Sequence, residues 1–182
     1  MCGIVGYVGL GSAPDGHKFS HNSYDVVLEG LRRQEYRGYD SAGVALVCPD
    51  GIEFRKKAGK LINLENEVAQ APLTESRIGI GHTRWATHGG PTDTNAHPHV
   101  VDHGRLAVAH NGIIENFAEL RAELLAEGVE FQSQTDTEVA AALIASSYNK
   151  LGTGNLTEAV RVASNRMEGA FTILAVHADH PD

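Results

Sequence analysis

Two hydrophobic periods alternate along the chain. Residues 3 to 8 (Gly-Ile-Val-Gly-Tyr-Val) read as a short buried strand, and the two-residue period puts Cys2, Ile4, Gly6 and Val8 on one face. Residues 9 to 23, rich in Gly, Ser, Asn and Pro, predict a loop. A helix follows over Tyr24 to Arg33: Tyr24, Val27, Leu28 and Leu31 fall at i, i+3, i+4 and i+7, and Asn22 or Ser23 can cap it. Ala42 to Val47 and Ile52 to Lys57 are strand-like runs joined by Pro49-Asp50-Gly51, turn chemistry that predicts an antiparallel hairpin. A polar helix is expected over Leu61 to Gln70, stopped by Pro72.

Ile78 to His82 and Leu106 to His110 predict two further strands. Between them, Thr83 to Gly104 carries three Gly and two Pro among polar residues, a connection long enough to suggest function or mobility. Ile113, Phe117, Leu120 and Leu124 form a helical stripe ending before Gly128. Thr135 and Glu138 have capping-box spacing, and Val139, Leu143 and Ile144 continue a buried helical face. Asn155 to Arg166 predicts another helix and Ala170 to Val176 an apolar strand. The hairpin breaks any regular strand–helix–strand rhythm, so the pattern implies antiparallel sheets in a layered α+β domain.

Length and charge narrow the classes. The 182 residues suit one domain able to bury about 70% of its unfolded surface. Fifteen Lys and Arg against 23 Asp and Glu give a net charge of −8 without a basic stripe, which argues against nucleic acid as a partner. No signal segment and no run of 18 apolar residues is visible, so the expectation is a cytoplasmic protein with no membrane partner. The two cysteines, Cys2 and Cys48, make neither a disulfide framework nor a metal pair; Cys48 reads as structural.

Cys2 is different. Removal of Met1 would give one residue both a thiol, titrating near about 8.5, and an α-amine near about 7.7 to 8.0, a nucleophile joined to its own base. The bland alternative is a small apolar residue opening a buried strand. Polar clusters flank the predicted strand ends: Tyr36 to Gly43, His82-Thr83-Arg84-Trp85-Ala86-Thr87-His88-Gly89, Asn95-Ala96-His97-Pro98-His99, His110-Asn111-Gly112-Ile113-Ile114-Glu115-Asn116, and Thr135-Asp136-Thr137-Glu138.

In this order after the opening Cys-Gly-Ile-Val-Gly, the set resembles the glutaminase domain of the glutamine–fructose-6-phosphate aminotransferases. These are class II amidotransferases with the N-terminal nucleophile hydrolase fold, and the resemblance runs from Cys2 to about Asp182. It implies a four-layer αββα sandwich and hydrolysis of L-glutamine through a Cys2 thioester, with no cofactor and no metal. Asn111, by its side-chain amide, and Gly112, by its N–H, resemble the oxyanion hole, where a positioned donor matters because charge develops on the amide oxygen. Arg84 resembles the residue that binds the α-carboxylate of glutamine and Asp136 the partner of its ammonium. Trp85, Thr87 and His88 resemble further substrate contacts in a segment that closes over glutamine, and Arg37 a residue that organises the N-terminus. At full length the resemblance implies sugar isomerase domains beyond His180-Pro181-Asp182, a homodimer, and transfer of the ammonia to fructose 6-phosphate; residues 1–182 are expected to be the glutaminase domain alone.

Each of these residues has a plainer reading. Asn111-Gly112 is also type I′ turn chemistry, Asp136 a first-turn carboxylate complementing a helix dipole, and Trp85 a half-buried anchor. Ten histidines, with His97, His99 and His103 closest together, invite a zinc reading, but no thiolate or carboxylate ligands cluster with them. A nucleotide loop at Gly9 and Gly11 fails on spacing, because Pro14 stands where a small helix-opening residue belongs. The nearer alternative is another class II amidotransferase, of the phosphoribosyl-pyrophosphate or asparagine-forming kind. The stretch from Gly9 to Ser23 is longer than the resemblance leads one to expect.

Overall fold

The computed structural model describes residues 2–9, 22–36, the backbone of 37, and 40–180. The elements run β1 (Gly3–Val8), α1 (Ser23–Gln34), a 3-10 turn (Glu35–Arg37), β2 (Ser41–Cys48), β3 (Gly51–Ala58), α2 (Leu61–Gln70), β4 (Ile78–Arg84), β5 (His99–Val101), β6 (Leu106–Gly112), α3 (Phe117–Ala126), α4 (Asp136–Leu151), α5 (Leu156–Ser164) and β7 (Phe171–His177). Two antiparallel sheets result, in the orders β1-β4-β2-β3 and β5-β6-β7.

Strand parity builds the layers. On β2, Ala42 and Val44 pack on Val27, Leu28 and Leu31 of α1 and on Leu61, Leu64 and Val68 of α2, while Ala45 and Val47 face the other way. There they meet Ile78 and Ile80 of β4 and Ala107 and Ala109 of β6, the apolar filling between the sheets. The other face of β6, Leu106 and Val108, packs under α3, α4 and α5 through Leu120, Leu124, Val139 to Ala145 and Ala163. The order is helices, sheet, sheet, helices: the αββα sandwich of an α+β fold. Close helix approach depends on Gly81, where an added Cβ would overlap Val27 and lie 2.9 Å from Leu31 Cδ1.

The sequence pattern locates most elements and misplaces three features. Ile113 does not open a helix. Its N–H donates to the Ala170 carbonyl and continues the β6–β7 ladder, and α3 begins at Phe117; sheet pairing overrides the four-residue spacing. Within the expected loop of Thr83 to Gly104, β4 runs on to Arg84, and His99–Val101 forms β5, turned into β6 by Asp102 and His103, both at φ +54°. Thr135 does cap α4, accepting the Glu138 N–H at 3.2 Å. The reciprocal half of the box is absent: Glu138 accepts from the Gln132 and Ser133 N–H groups, and the Thr135 N–H goes to the Ser133 hydroxyl. Most of the Gly9 to Ser23 segment, residues 10–21, lies outside the described residues.

Candidate active site

The site forms between the sheets where β1 begins and β4 and β6 end. On β4 the residues facing the opposite sheet are Ile78, Ile80, His82 and Arg84; on β6 the corresponding series is Ala107, Ala109 and Asn111. Apolar residues occupy the middle of this layer and polar ones its end. One cavity of about 470 Å³ opens there, lined by Cys2, Arg84, Trp85, Thr87, His97, His110, Asn111, Gly112, Ile113 and Asp136.

Cys2 sits just before β1. The Trp85 N–H donates to its Sγ at 3.2 Å, and the Trp85 carbonyl lies 3.5 Å from the same sulfur. At the outer edge of β1, Gln34 clasps the backbone of Ile4, accepting its N–H at 3.1 Å and donating to its carbonyl at 3.4 Å, as a neighbouring strand would. Thus the last residue of α1 steadies the backbone two residues from the thiol.

Asn111 donates from Nδ2 to the Cys2 carbonyl at 3.4 Å, and its Oδ1 lies 2.8 Å from His82 Nε2. Gly112 ends β6 at φ +120°, where a Cβ would overlap the Ala170 carbonyl. The ladder fixes the direction of its N–H. Ile113 donates to Ala170 and Ala178 to Arg105, so the odd-numbered residues of β6 are those bonded to β7. Gly112 turns its N–H away from β7, and β5 has already stopped opposite Val108. Asn111-Gly112 is therefore a strand end, not a hairpin turn.

Arg84 is 3% exposed. Its guanidinium donates to the carbonyls of His88, Gly89 (3.2 Å) and Gly90 (3.3 Å), folding that segment over the strand end. Burial pushes its pKa below the ordinary arginine value, opposed by Asp40, Cys2 and Asp136. Asp136, also 3% exposed, opens α4, where the helix N-terminus favours a carboxylate. Its Oδ2 accepts the Ile114 N–H at 3.1 Å and lies 3.9 Å from His88 Nδ1, while the His88 ring packs edge-on against Phe117. Trp85 is half exposed at the cavity wall and Thr87 stands at its rim.

The structure thus brings Cys2, Arg84, Trp85, Thr87, Asn111, Gly112 and Asp136 around one cavity, with His88 beside Asp136. The Arg37 side chain and Met1 lie outside the described residues. Three residues of the site escaped the sequence reading of roles. Asp40 accepts the Ala86 N–H and the Ser41 hydroxyl. His82 is tied to Asn111, and His97 reaches the cavity wall with its ring 4.4 Å from that of His82. The signal for His82 was its position two residues before Arg84 on the same face. His97 and His99 are buried neutral imidazoles, their pKa values driven well below the ordinary range by burial. Among the described residues no group of three or more His, Cys, Asp and Glu side chains is placed to hold a metal ion. Nor is any described helix long and apolar enough to cross a membrane.

The chain is similar over its length to known proteins. The chain is 64% identical over all 182 residues to the isomerising glutamine–fructose-6-phosphate aminotransferase of Corynebacterium efficiens, and 50% identical to that of Thermus thermophilus. It spans 29% and 28% of those proteins, less than a third of their length. Among solved structures, the glutamine phosphoribosylpyrophosphate amidotransferase from B. subtilis, complexed with ADP and GMP, superposes with a TM-score of 0.76 at 26% identity. That match covers 97% of this chain and 35% of the other. A family model described as a glutamine amidotransferase domain matches residues 67–177. With that match over more than half its length, the chain belongs to the glutamine amidotransferase domain family.

Proposed function

We propose that the cavity hydrolyses the side-chain amide of L-glutamine, with Cys2, freed of Met1, as nucleophile. The observation that carries this reading is the convergence of Cys2, Asn111 and Gly112 on the same cavity as Arg84 and Asp136. The α-amine of Cys2 takes the thiol proton and the thiolate adds to the amide carbon. The oxygen, now negative, meets the Asn111 Nδ2 and the Gly112 N–H. The ammonium returns its proton to the departing nitrogen, ammonia leaves, and a thioester remains. Water, deprotonated by the same amine, cleaves it to glutamate and restores the thiol. Arg84 and Asp136 supply opposite charges for the carboxylate and ammonium of the amino-acid head. Arg84 does so while holding three carbonyls of the loop beside it, so substrate and loop share one cation.

The 64% identity to an isomerising glutamine–fructose-6-phosphate aminotransferase, against 26% to the phosphoribosyl-pyrophosphate enzyme, supports fructose 6-phosphate as the acceptor of the ammonia in the longer protein. The same resemblance supports sugar isomerase domains as the partner of this one, within a homodimer in the cytoplasm. Residues 1–182 by themselves then release ammonia without making glucosamine 6-phosphate.

The test is intact mass together with a glutamine-to-glutamate assay on the wild type and Cys2→Ala. Protein lacking Met1 turns glutamine over and Cys2→Ala falls to background. Full activity in Cys2→Ala, or in protein retaining Met1, overturns the mechanism.

A further inference from the structure

His82 is fully buried, and no step above uses it. It stands on β4 while its Nε2 reaches across to β6, 3.1 Å from the His110 carbonyl and 2.8 Å from Asn111 Oδ1. Burial brings its pKa down to about 4, so the ring is neutral and carries one N–H. The His110 carbonyl can only accept, whichever way the Asn111 carboxamide is turned, which puts that hydrogen on Nε2 and leaves Nδ1, without a hydrogen-bond partner among the described residues, as the bare nitrogen. The His97 ring packs against it, 4.4 Å away between centroids.

A carboxamide is nearly symmetric in shape, and its terminal torsion has two wells that exchange oxygen for nitrogen. At Asn111 only one of them serves catalysis. With Oδ1 toward His82, Nδ2 faces Cys2 and donates; with the groups exchanged, an oxygen faces the Cys2 carbonyl and the developing oxyanion. The bond from Nδ2 to the Cys2 carbonyl is long, 3.4 Å, and the 2.8 Å bond to His82 is the stronger selector.

We propose that His82 is a positioning residue that locks the Asn111 carboxamide with its N–H₂ toward the nucleophile, so that the oxyanion hole is set before substrate arrives. The inference rests on the glutaminase reading above and adds a residue to it. It places the control of Asn111 on the opposite sheet, through the one hydrogen of a neutral imidazole.

The test uses the full 182-residue chain with Met1 removed. His82→Phe loses the donor: kcat for glutamine falls by about 10- to 100-fold, below the full loss of an oxyanion donor, while KM changes by less than about twofold. His82→Gln, whose amide N–H₂ can take the place of Nε2–H, restores kcat to within about threefold. In an Asn111→Ala background, adding His82→Phe costs less than about twofold more, since the lock has nothing to hold. Nitrogen-15 spectra of the wild type, which need no turnover, show the Nε2–H tautomer at His82. Unchanged kcat in a folded His82→Phe, full additivity with Asn111→Ala, or an Nδ1–H tautomer each overturns the proposal. Wild-type protein lacking Met1 that releases no ammonia overturns the glutaminase reading instead, and the spectra still decide the tautomer.

Discussion

The carboxylate of Asp40 accepts the backbone N–H of Ala86, two residues beyond Arg84 at the end of β4. Its other oxygen takes the Ser41 hydroxyl at 3.0 Å, and the Asp40 N–H donates to the Arg84 carbonyl at 3.2 Å. One residue therefore brackets Trp85, whose N–H donates to Cys2 Sγ. Asp40→Ala removes a charge-assisted hydrogen bond worth about 1.5 to 3 kcal/mol and frees the chain at Trp85. The expected outcome is a lower melting temperature and a glutamine KM raised about tenfold or more, read by calorimetry and steady-state kinetics. A KM unchanged in Asp40→Ala would show that the bracket does not shape the cavity.

Gly112→Ala tests the strand end. The residue has φ +120°, and the new Cβ would overlap the Ala170 carbonyl and lie 2.8 Å from Phe171 Cα, all backbone that cannot swing aside. β6 must shift, and with it the N–H assigned to the oxyanion. We expect kcat to fall by about 10² or more, with near-normal KM in whatever fraction remains folded.

Arg84→Lys keeps the charge and loses the fork. A single ammonium cannot reach the His88, Gly89 and Gly90 carbonyls together and still face an α-carboxylate. Glutamine KM should rise about tenfold or more, and limited proteolysis should cut sooner within residues 86–90. Wild-type KM in the lysine variant would remove Arg84 from substrate binding.

Acid should weaken the fold before carboxylates begin to protonate. Burial lowers the pKa of His82 to about 4 and holds His97, His99, His110 and His177 below their ordinary value. For groups lowered in the folded state, the unfolded chain binds more protons between the folded pKa and about 6.5. Stability is therefore full above that window and is lost as pH falls through it. His82 alone accounts for about 2 kcal/mol by pH 5. The melting temperature should drop steadily from pH 7 to pH 5, with a shallower slope in His82→Gln; a flat profile would contradict neutral burial.

How much of this was legible in the sequence follows from physics at each place. Cys2, Ile4 and Gly6 could be put on one face because a strand has a period of two, α1 and α4 declared themselves by apolar spacing, and α2 was bounded by the proline that stops it. β5 did not. It has three residues, and its turn uses Asp102 and His103 at positive φ, where composition gives little warning. The grouping of Arg84, Asn111 and Asp136 came from resemblance, since nothing in their spacing says that three separate elements end at one cavity. Asp40 and His82 act through other residues rather than on a ligand, and such roles are invisible until partners are placed.

The parity of β4 makes its length a chemical quantity. Ile80, His82 and Arg84 meet the opposite sheet only because an even number of steps separates them, while Gly79 and Gly81 turn toward α1. Inserting one residue between Ile80 and His82 would swing the imidazole and the guanidinium into the helix layer and bring chain of the wrong size to the cavity. Related chains can thus accept changes of side chain along this strand more readily than any single-residue insertion or deletion, and a two-residue change would keep the faces while moving the site by one full repeat of the pleat.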